Sequence, residues 1–266
     1  MRKPVLEVKN LSVAAGAAKL VENVSWELFP GEILGLVGES GSGKSLTAKA
    51  VLGLLHEAGS RMAVSGEVLL EGENVLRLGA KELRPLRGKK ISIIFQDPLT
   101  ALNPVLSIGK QVRELFLTHE KCSEREAAAK SILLLKKMGL VNAERVYRQY
   151  PHQLSGGMRQ RVCIAIAIAL KPPVIIADEP TTALDVTLQA QILAELKMLK
   201  NNYNAAILLI SHDMGVIAEM ADTVAVMQKG RIVEYSDCYS LFDYPQHDYT
   251  KKLLAASRLD ELAEAR

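Results

Sequence analysis

The sequence contains few cysteines, few aromatic side chains and no long apolar run. Three of the 266 residues are cysteines (Cys122, Cys163 and Cys238), and 5% are aromatic. The cysteines are isolated from one another, which argues against a zinc ribbon or a disulfide scaffold and indicates thiols in a reducing compartment. The longest apolar run, residues 162–170, falls far short of the roughly 20 residues of a transmembrane helix.

The sequence also lacks a strong charge bias and an apolar N-terminal segment. The net charge is +3, with 24% charged residues and no concentrated basic patch, so we expect no nucleic-acid partner. The first residues contain no signal-peptide pattern, so we expect a chain that is not exported. The hydrophobic fraction of 48% is ample for the core of one large domain or two small ones.

What the sequence does contain is a glycine-rich motif between a predicted strand and a predicted helix. Residues 38–45 read Gly-Glu-Ser-Gly-Ser-Gly-Lys-Ser and fit the phosphate-binding loop of nucleotide hydrolases. Glycines let backbone N–H groups converge on an anion at the positive N-terminus of a helix. The motif therefore predicts a nucleotide site formed by Gly38, Glu39, Ser40, Gly41, Ser42, Gly43, Lys44, Ser45 and Leu46.

Two further positions complete the predicted chemistry. Lys44 can reach the β- and γ-phosphates, and the Ser45 hydroxyl is placed to bind Mg²⁺. An apolar strand over residues 174–177 ends in Asp178 and Glu179, and the carboxyl end of a strand is where α/β sheets bind ligands. We expect Asp178 to hold Mg²⁺ and Glu179 to orient the attacking water. For the pair alone, acidic residues that merely end a strand are the alternative.

A second candidate anion site precedes the helix predicted over residues 161–170. Residues 154–160 read Leu-Ser-Gly-Gly-Met-Arg-Gln, and a Ser-Gly-Gly sequence at a helix N-terminus can bind an anion. Because the chain already has one phosphate loop, a second site is unexpected unless it serves the nucleotide of another subunit.

Hydrophobic periodicity predicts the organisation of the chain. Strands alternate with helices, which indicates a mainly parallel sheet. An antiparallel layer is expected near the N-terminus. It would contain two strands (residues 5–8 and 24–28), joined by a Gly/Ala-rich loop, and a hairpin at residues 66–74. We expect one domain over residues 1–266, with a nucleotide-binding core (1–96 and 171–240), a helical subdomain (97–170) and a helical tail (241–266).

The ordered motifs resemble those of ABC transporter ATPases. Residues 154–160 are similar to the family's signature motif, Gln96 to its Q-loop glutamine, Asp185 to its D-loop aspartate and His212 to its switch histidine. The resemblance implies a P-loop NTPase (ABC ATPase) fold that binds ATP and Mg²⁺. Two subunits would pair head to tail, with ATP held between the phosphate loop of one subunit and the signature motif of the other.

The resemblance also implies roles for these residues. Ser155, Gly156, Gly157 and Asp185 would contact ATP, Gln96 would contact Mg²⁺ and assist catalysis together with Glu179, and His212 would contact the γ-phosphate. Without the resemblance, a lone histidine such as His212 is more often a core or loop residue.

Residues 96–104, 150–153 and 244–250 are similar to the oligopeptide, dipeptide and nickel importers of this family. This resemblance implies a peripheral subunit on the cytoplasmic face of the membrane, two permease subunits, a related second ATPase and, indirectly, an extracytoplasmic binding protein. A homodimer remains possible in isolation. The short tail and the absence of an aromatic residue at position 15 are most like the nickel or metal-chelate branch, and peptide import is the alternative. A soluble ABC ATPase that acts on nucleic acid or ribosomes and a non-catalytic regulator are the other classes considered.

Ala15 stands where the family usually has an aromatic residue that stacks on adenine. We therefore predict poor discrimination between ATP and GTP, and a gain in ATP affinity of about 1–3 kcal/mol for Ala15→Tyr, the usual contribution of one stacked base. Equilibrium binding of both nucleotides to both proteins checks this. Strong discrimination by the wild-type protein would contradict it.

Overall fold

The computed structural model describes residues 2–56, 62–181 and 186–264, with the side chains of His56, Leu188 and residues 258–264 excepted. The strands are β1 (Leu6–Ala15), β2 (Ala18–Leu28), β3 (Ile33–Val37), β4 (Met62–Leu70), β5 (Glu73–Asn74), β6 (Ile91–Ile94), β7 (Val174–Asp178), β8 (Ala206–Ile210), β9 (Thr223–Gln228) and β10 (Arg231–Asp237). The α-helices are α1 (Lys44–Val51), α2 (Ala80–Leu86), α3 (Pro98–Ala101), α4 (Ile108–His119), α5 (Glu124–Lys137), α6 (Ala143–Arg148), α7 (Gly156–Ile168), α8 (Val186–Tyr203), α9 (Met214–Met220), α10 (Cys238–Asp243) and α11 (Asp248–Glu264). Among these described helices, none is long and apolar enough to cross a membrane.

A six-stranded sheet forms the centre of the fold. Its strand order is β10-β9-β3-β8-β7-β6, and every neighbouring pair is parallel except β9 and β10. Every residue of β3, β7 and β8 is buried, because both faces of the sheet are covered. One face packs with α7, α8 and α9, and the other packs with α1 and with the strands β1 and β2. The predicted α/β architecture with a mainly parallel sheet is confirmed.

The antiparallel N-terminal layer has the order β2-β1-β4-β5. The predicted Gly/Ala-rich loop between the first two strands is wrong, because β1 and β2 extend almost to each other and leave only Gly16 and Ala17 as the turn. Leu11, Val13 and Val21 of this hairpin are fully buried. A register shift near Asn10, whose φ is +51°, interrupts the alternation of apolar residues, so the strand is difficult to recognise from the sequence.

Helices α3–α7 lie between β6 and β7 in the chain and pack through buried side chains that include Ile108, Phe116, Leu135 and Ile164. The region predicted to be helical is therefore helical, and the subdomain boundaries at residues 97 and 170 stay a prediction. Residues 98–101 form the short helix α3. Pro98 occupies its first turn and the Asp97 side chain accepts a hydrogen bond from the Leu99 amide at 2.8 Å, a favourable helix start.

The carboxyl ends of β3, β6, β7 and β8 lie at one edge of the central sheet, because these strands are parallel and adjacent. Gln96 follows β6, Glu179 follows β7 and His212 follows β8. The segment after β3 is the glycine-rich loop. The topology therefore brings together residues that are more than a hundred positions apart in the sequence.

The glycine-rich loop passes so close to β9 that glycine is required at its first position. Gly38 has a φ of +147°, and a Cβ atom there would lie 2.1 Å from the carbonyl oxygen of Met227. Gly41 also has a positive φ, +79°, but a Cβ atom there would meet nothing within 4 Å. Both glycines therefore have a positive φ, but only at Gly38 would an added Cβ atom collide with another part of the backbone.

We predict that Gly38→Ala lowers the free energy of unfolding by about 3 kcal/mol or more, since backbone strain and a collision with backbone add. The matched control Gly41→Ala adds strain alone and is expected to cost about 1–2 kcal/mol. Urea denaturation of both variants measures the difference. Equal losses would show that the contact with Met227 does not constrain the loop.

Candidate nucleotide-binding site

The loop before α1 borders an open cavity of about 340 Å³. Helix α1 begins at Lys44, and its first turn contains no acidic residue, so the positive end of the helix dipole is left for an anion. Three residues outside the loop and α1 also line the cavity: Leu20, Gln96 and Glu179. The full lining is Leu20, Ser40, Gly41, Gly43, Lys44, Ser45, Leu46, Gln96 and Glu179.

The ammonium group of Lys44 is held inside the loop. Lys44 is only 5% exposed, and its Nζ donates to the carbonyl oxygens of Gly38 at 2.6 Å and Glu39 at 2.9 Å. Burial lowers the pKa of Lys44 from its usual value, and the nearby carboxylates of Glu179 and Asp178 oppose that shift. A cation that is partly stripped of water and surrounded by carbonyl groups is well placed to meet phosphate oxygens.

The side chains of Ser45 and Asp178 place two oxygen atoms next to each other. The Ser45 hydroxyl donates to Oδ1 of Asp178 at 3.0 Å, and burial raises the pKa of the Asp178 carboxyl. Hydroxyl and carboxylate oxygens fit Mg²⁺, which takes few protein ligands and completes its shell with phosphate and water. In the described parts of the chain there is no group of three or more His, Cys, Asp or Glu residues that could hold a metal ion.

Three predicted residues meet at the carboxylate of Glu179. Gln96 Nε2 donates to Oε2 at 2.7 Å, and His212 Nδ1 lies 3.4 Å from Oε1. Glu179 has a φ of +48°, and its amide donates to the Ile210 carbonyl at 2.9 Å. A non-glycine residue held in this conformation is typical of functional sites. The contacts aim the carboxylate into the cavity that the loop borders.

The signature residues lie apart from this cavity. Ser155 caps α7, its Oγ accepting from the Met158 amide at 3.3 Å, and neither Ser155, Gly156 nor Gly157 lines the cavity of the phosphate loop. Ser155 and Gly156 are exposed. Their role at the nucleotide of a second subunit stays a prediction. Asp185 and the rest of its predicted D-loop fall outside the described residues.

The sequence did not reveal three residues that contact the predicted site. Leu20, 37% exposed, lines the cavity next to the loop. Gln160 is buried in α7 and donates to the Pro180 carbonyl at 2.8 Å, which joins the signature helix to the segment after Glu179. Tyr249 bonds to the loop from the tail. Among the described residues that line the cavity, none is aromatic.

A profile of the ABC transporter family matches residues 21–182. The chain belongs to the ABC transporter family. It is 48% identical over 257 residues to the oligopeptide transport ATP-binding protein OppD of Lactococcus lactis subsp. cremoris, a match that covers 95% of this chain and 75% of the relative. It is 45% identical to the dipeptide transport ATP-binding protein DppD of Bacillus subtilis, with 96% and 78% covered.

Solved structures agree with this ABC ATPase assignment. A dimeric ATP-binding cassette bound to ADP and Pi superposes with a TM-score of 0.77 at 28% identity, covering 88% of this chain and 98% of the other. The cbiO1 subunit of an ABC transporter from Clostridium perfringens gives a TM-score of 0.75 at 25% identity, with 98% and 99% covered. The predicted ABC ATPase fold and ATPase activity are therefore confirmed. The predicted nickel branch is not supported, because these sequence relatives are named for peptide transport.

We expect Glu179→Gln to keep ATP binding while ATP hydrolysis falls by a factor of about 100 or more, the scale of lost general-base catalysis. The amide keeps the size of the side chain and can still bond to Gln96, so folding is not expected to change. Turnover of the assembled transport complex and ATP binding to the isolated subunit measure the two effects. Near wild-type turnover would show that another group activates the water.

Proposed function

We propose that this chain is the ATP-hydrolysing subunit of a di- or oligopeptide importer. The observation that carries the proposal is identity of 45–48% over at least 95% of the chain to transport ATP-binding proteins named for oligopeptides and dipeptides. Two permease subunits, a related second ATPase and an extracytoplasmic binding protein would complete the importer, with this subunit on the cytoplasmic face of the membrane.

Each group in the site has a separate proposed role in ATP hydrolysis. The loop residues 38–46 would bind the phosphates of ATP, with Lys44 as the charged donor. Ser45, Asp178 and Gln96 would hold Mg²⁺, which neutralises charge on the transferred phosphoryl group when it is bound. Glu179 would accept the proton of the attacking water.

Gln96 and His212 would act on the same water and phosphate. Gln96 already bonds to Glu179 at 2.7 Å, so its amide can orient the carboxylate and report the occupancy of the site to the helical region that follows it. The side chain of His212 is 59% exposed, so it is accessible to a γ-phosphate. Ser155, Gly156 and Gly157 would close the corresponding site on the partner ATPase.

An uptake assay tests which substrate the complex transports. The complete complex, assembled with its own permease and binding protein in proteoliposomes, is expected to accumulate labelled di- or oligopeptide only with internal MgATP, and not with the Glu179→Gln subunit. Accumulation of Ni²⁺ or a metal chelate instead would overturn the peptide assignment in favour of the branch suggested by the tail. No transport with intact ATP hydrolysis would favour an ABC ATPase that does not act on a permease.

An exposed apolar patch follows Gln96 and is proposed as the permease contact. Leu99 is 56% and Val105 is 76% exposed, and Thr100 and Asn103 beside them are also exposed. The Gln111 side chain accepts from the Asn103 amide at 2.9 Å, which fixes this segment against α4. From the sequence alone, Leu102 is as good a candidate for this contact as Leu99, but it is 2% exposed and belongs to the core.

We predict that Leu99→Asp uncouples ATP hydrolysis from transport or releases the subunit from the membrane complex, while ATP binding by the isolated subunit stays unchanged. Leu102→Asp is the contrasting variant, since a buried charge at that position should lower the free energy of unfolding by several kcal/mol, about 3 or more. Cysteines introduced at Thr100 or Asn103 should crosslink to a permease loop. Crosslinks found only to the second ATPase would refute the contact.

A further inference from the structure

The tail motif at residues 244–250 has a contact that none of the proposed roles explains. The amide of Glu39, at the start of the phosphate loop, donates to the hydroxyl oxygen of Tyr249 at 3.0 Å across 210 residues of sequence. Tyr249 is 7% exposed and belongs to the buried cluster that contains Ile217 and Leu254. Its ring is therefore held by the core while its hydroxyl reaches the loop.

The tail is anchored so that Tyr249 is placed accurately. The carboxylate of Glu234, on β10, accepts from the amides of Gln246 at 2.7 Å and His247 at 3.0 Å. His247 Nδ1 in turn accepts from the Tyr249 amide at 3.1 Å. Because α11 begins at Asp248, these bonds fix the first turn of the helix that carries Tyr249.

The Glu39 amide belongs to the same peptide unit as the Gly38 carbonyl. That carbonyl accepts from Lys44 Nζ at 2.6 Å, and in a planar trans peptide the C=O and N–H point in opposite directions. Lys44 therefore holds one side of this peptide and Tyr249 holds the other. A rotation of the peptide would break both hydrogen bonds at once.

Glycine makes such a rotation accessible. Gly38 has a φ of +147°, in a region that essentially only glycine populates, so backbone sterics restrict this peptide less than most. Without the Tyr249 hydroxyl, the peptide can rotate so that the Glu39 amide bonds to water. The Gly38 carbonyl then points away from the Lys44 ammonium and their hydrogen bond is lost. The position of the ammonium in the loop thus depends on a residue of the tail.

We propose that Tyr249 is a positioning residue of the nucleotide site, which fixes the Gly38–Glu39 peptide and, through it, the ammonium of Lys44. This inference rests on the proposed role of Lys44 in binding ATP. It gives the tail a function in nucleotide binding: the tail stabilises the conformation of the phosphate loop that is ready for ATP.

The principal test is Tyr249→Phe in the full-length chain, which keeps the ring and removes the hydroxyl. We expect the Kd for MgATP to rise about three- to tenfold, the change that loss of one hydrogen bond produces. Protection of the Glu39 amide from hydrogen exchange should fall. In the assembled complex KM for ATP should rise while kcat stays within about twofold.

Tyr235→Phe is the control for the loss of a tyrosine hydroxyl elsewhere in the fold, because the Tyr235 hydroxyl lies 3.5 Å from the Glu27 carbonyl on β2 rather than near the phosphate loop. Tyr235 is 45% exposed and Tyr249 is 7% exposed, and the control is expected to leave the Kd unchanged. A Kd for Tyr249→Phe equal to that of the control would overturn the proposal. So would a fall in Tm beyond that of the control with an unchanged Kd, since this would show a packing role only.

Lys44→Ala separates the two proposals. If Lys44→Ala leaves the Kd for MgATP unchanged, the assignment of the phosphate loop fails, whatever Tyr249 does. If Lys44→Ala weakens binding, the double variant with Tyr249→Phe should bind within about twofold of Lys44→Ala alone, because residues that act as one unit are not additive. A further three- to tenfold loss in the double variant would show that Tyr249 does not act through Lys44.

Discussion

The hydrogen bonds around one buried ammonium group hold the candidate site in its shape. Lys44 is 5% exposed, and a buried cation is tolerated only with good partners. Those partners are the carbonyls of Gly38 and Glu39, and the Gly38–Glu39 peptide is also held by the bond from the Glu39 amide to Tyr249. At Gly38 the loop lies so close to the Met227 carbonyl that only a glycine fits. The loop is therefore held in shape by its own lysine, by a strand of the central sheet and by the tail.

The parallel sheet supplies the rest of the chemistry, because adjacent parallel strands end at one edge. Ser45 meets Asp178 there at 3.0 Å, and Gln96 meets Glu179 at 2.7 Å. Ser155 and its neighbouring glycines do not line this cavity. Under the proposed function they would instead close the nucleotide site of a second ATPase subunit.

Features of the site that lie within one short stretch of sequence were predictable, and contacts between distant parts of the chain were not. The loop from Gly38 to Ser45 is one contiguous motif with its flanking strand and helix, so its spacing alone identified it. The burial of Leu102 was not predictable, because a leucine beside exposed neighbours can face either side. The Glu39–Tyr249 bond spans 210 residues, and no periodicity reports such a contact. The transported substrate could not be inferred from these residues, because in the proposed importer the groups that recognise it would lie on partner proteins.

A crystal structure of the Glu179→Gln protein with MgATP tests the central claim most directly, namely that the loop and the strand before Glu179 form one nucleotide–metal site. The account predicts Lys44 Nζ within hydrogen-bond distance of the β- and γ-phosphate oxygens. It also predicts Mg²⁺ on the Ser45 hydroxyl, with the direct Ser45–Asp178 hydrogen bond opened to admit the metal. ATP bound away from residues 38–46, or Ser45 still bonded to Asp178 with no metal beside it, would contradict the account.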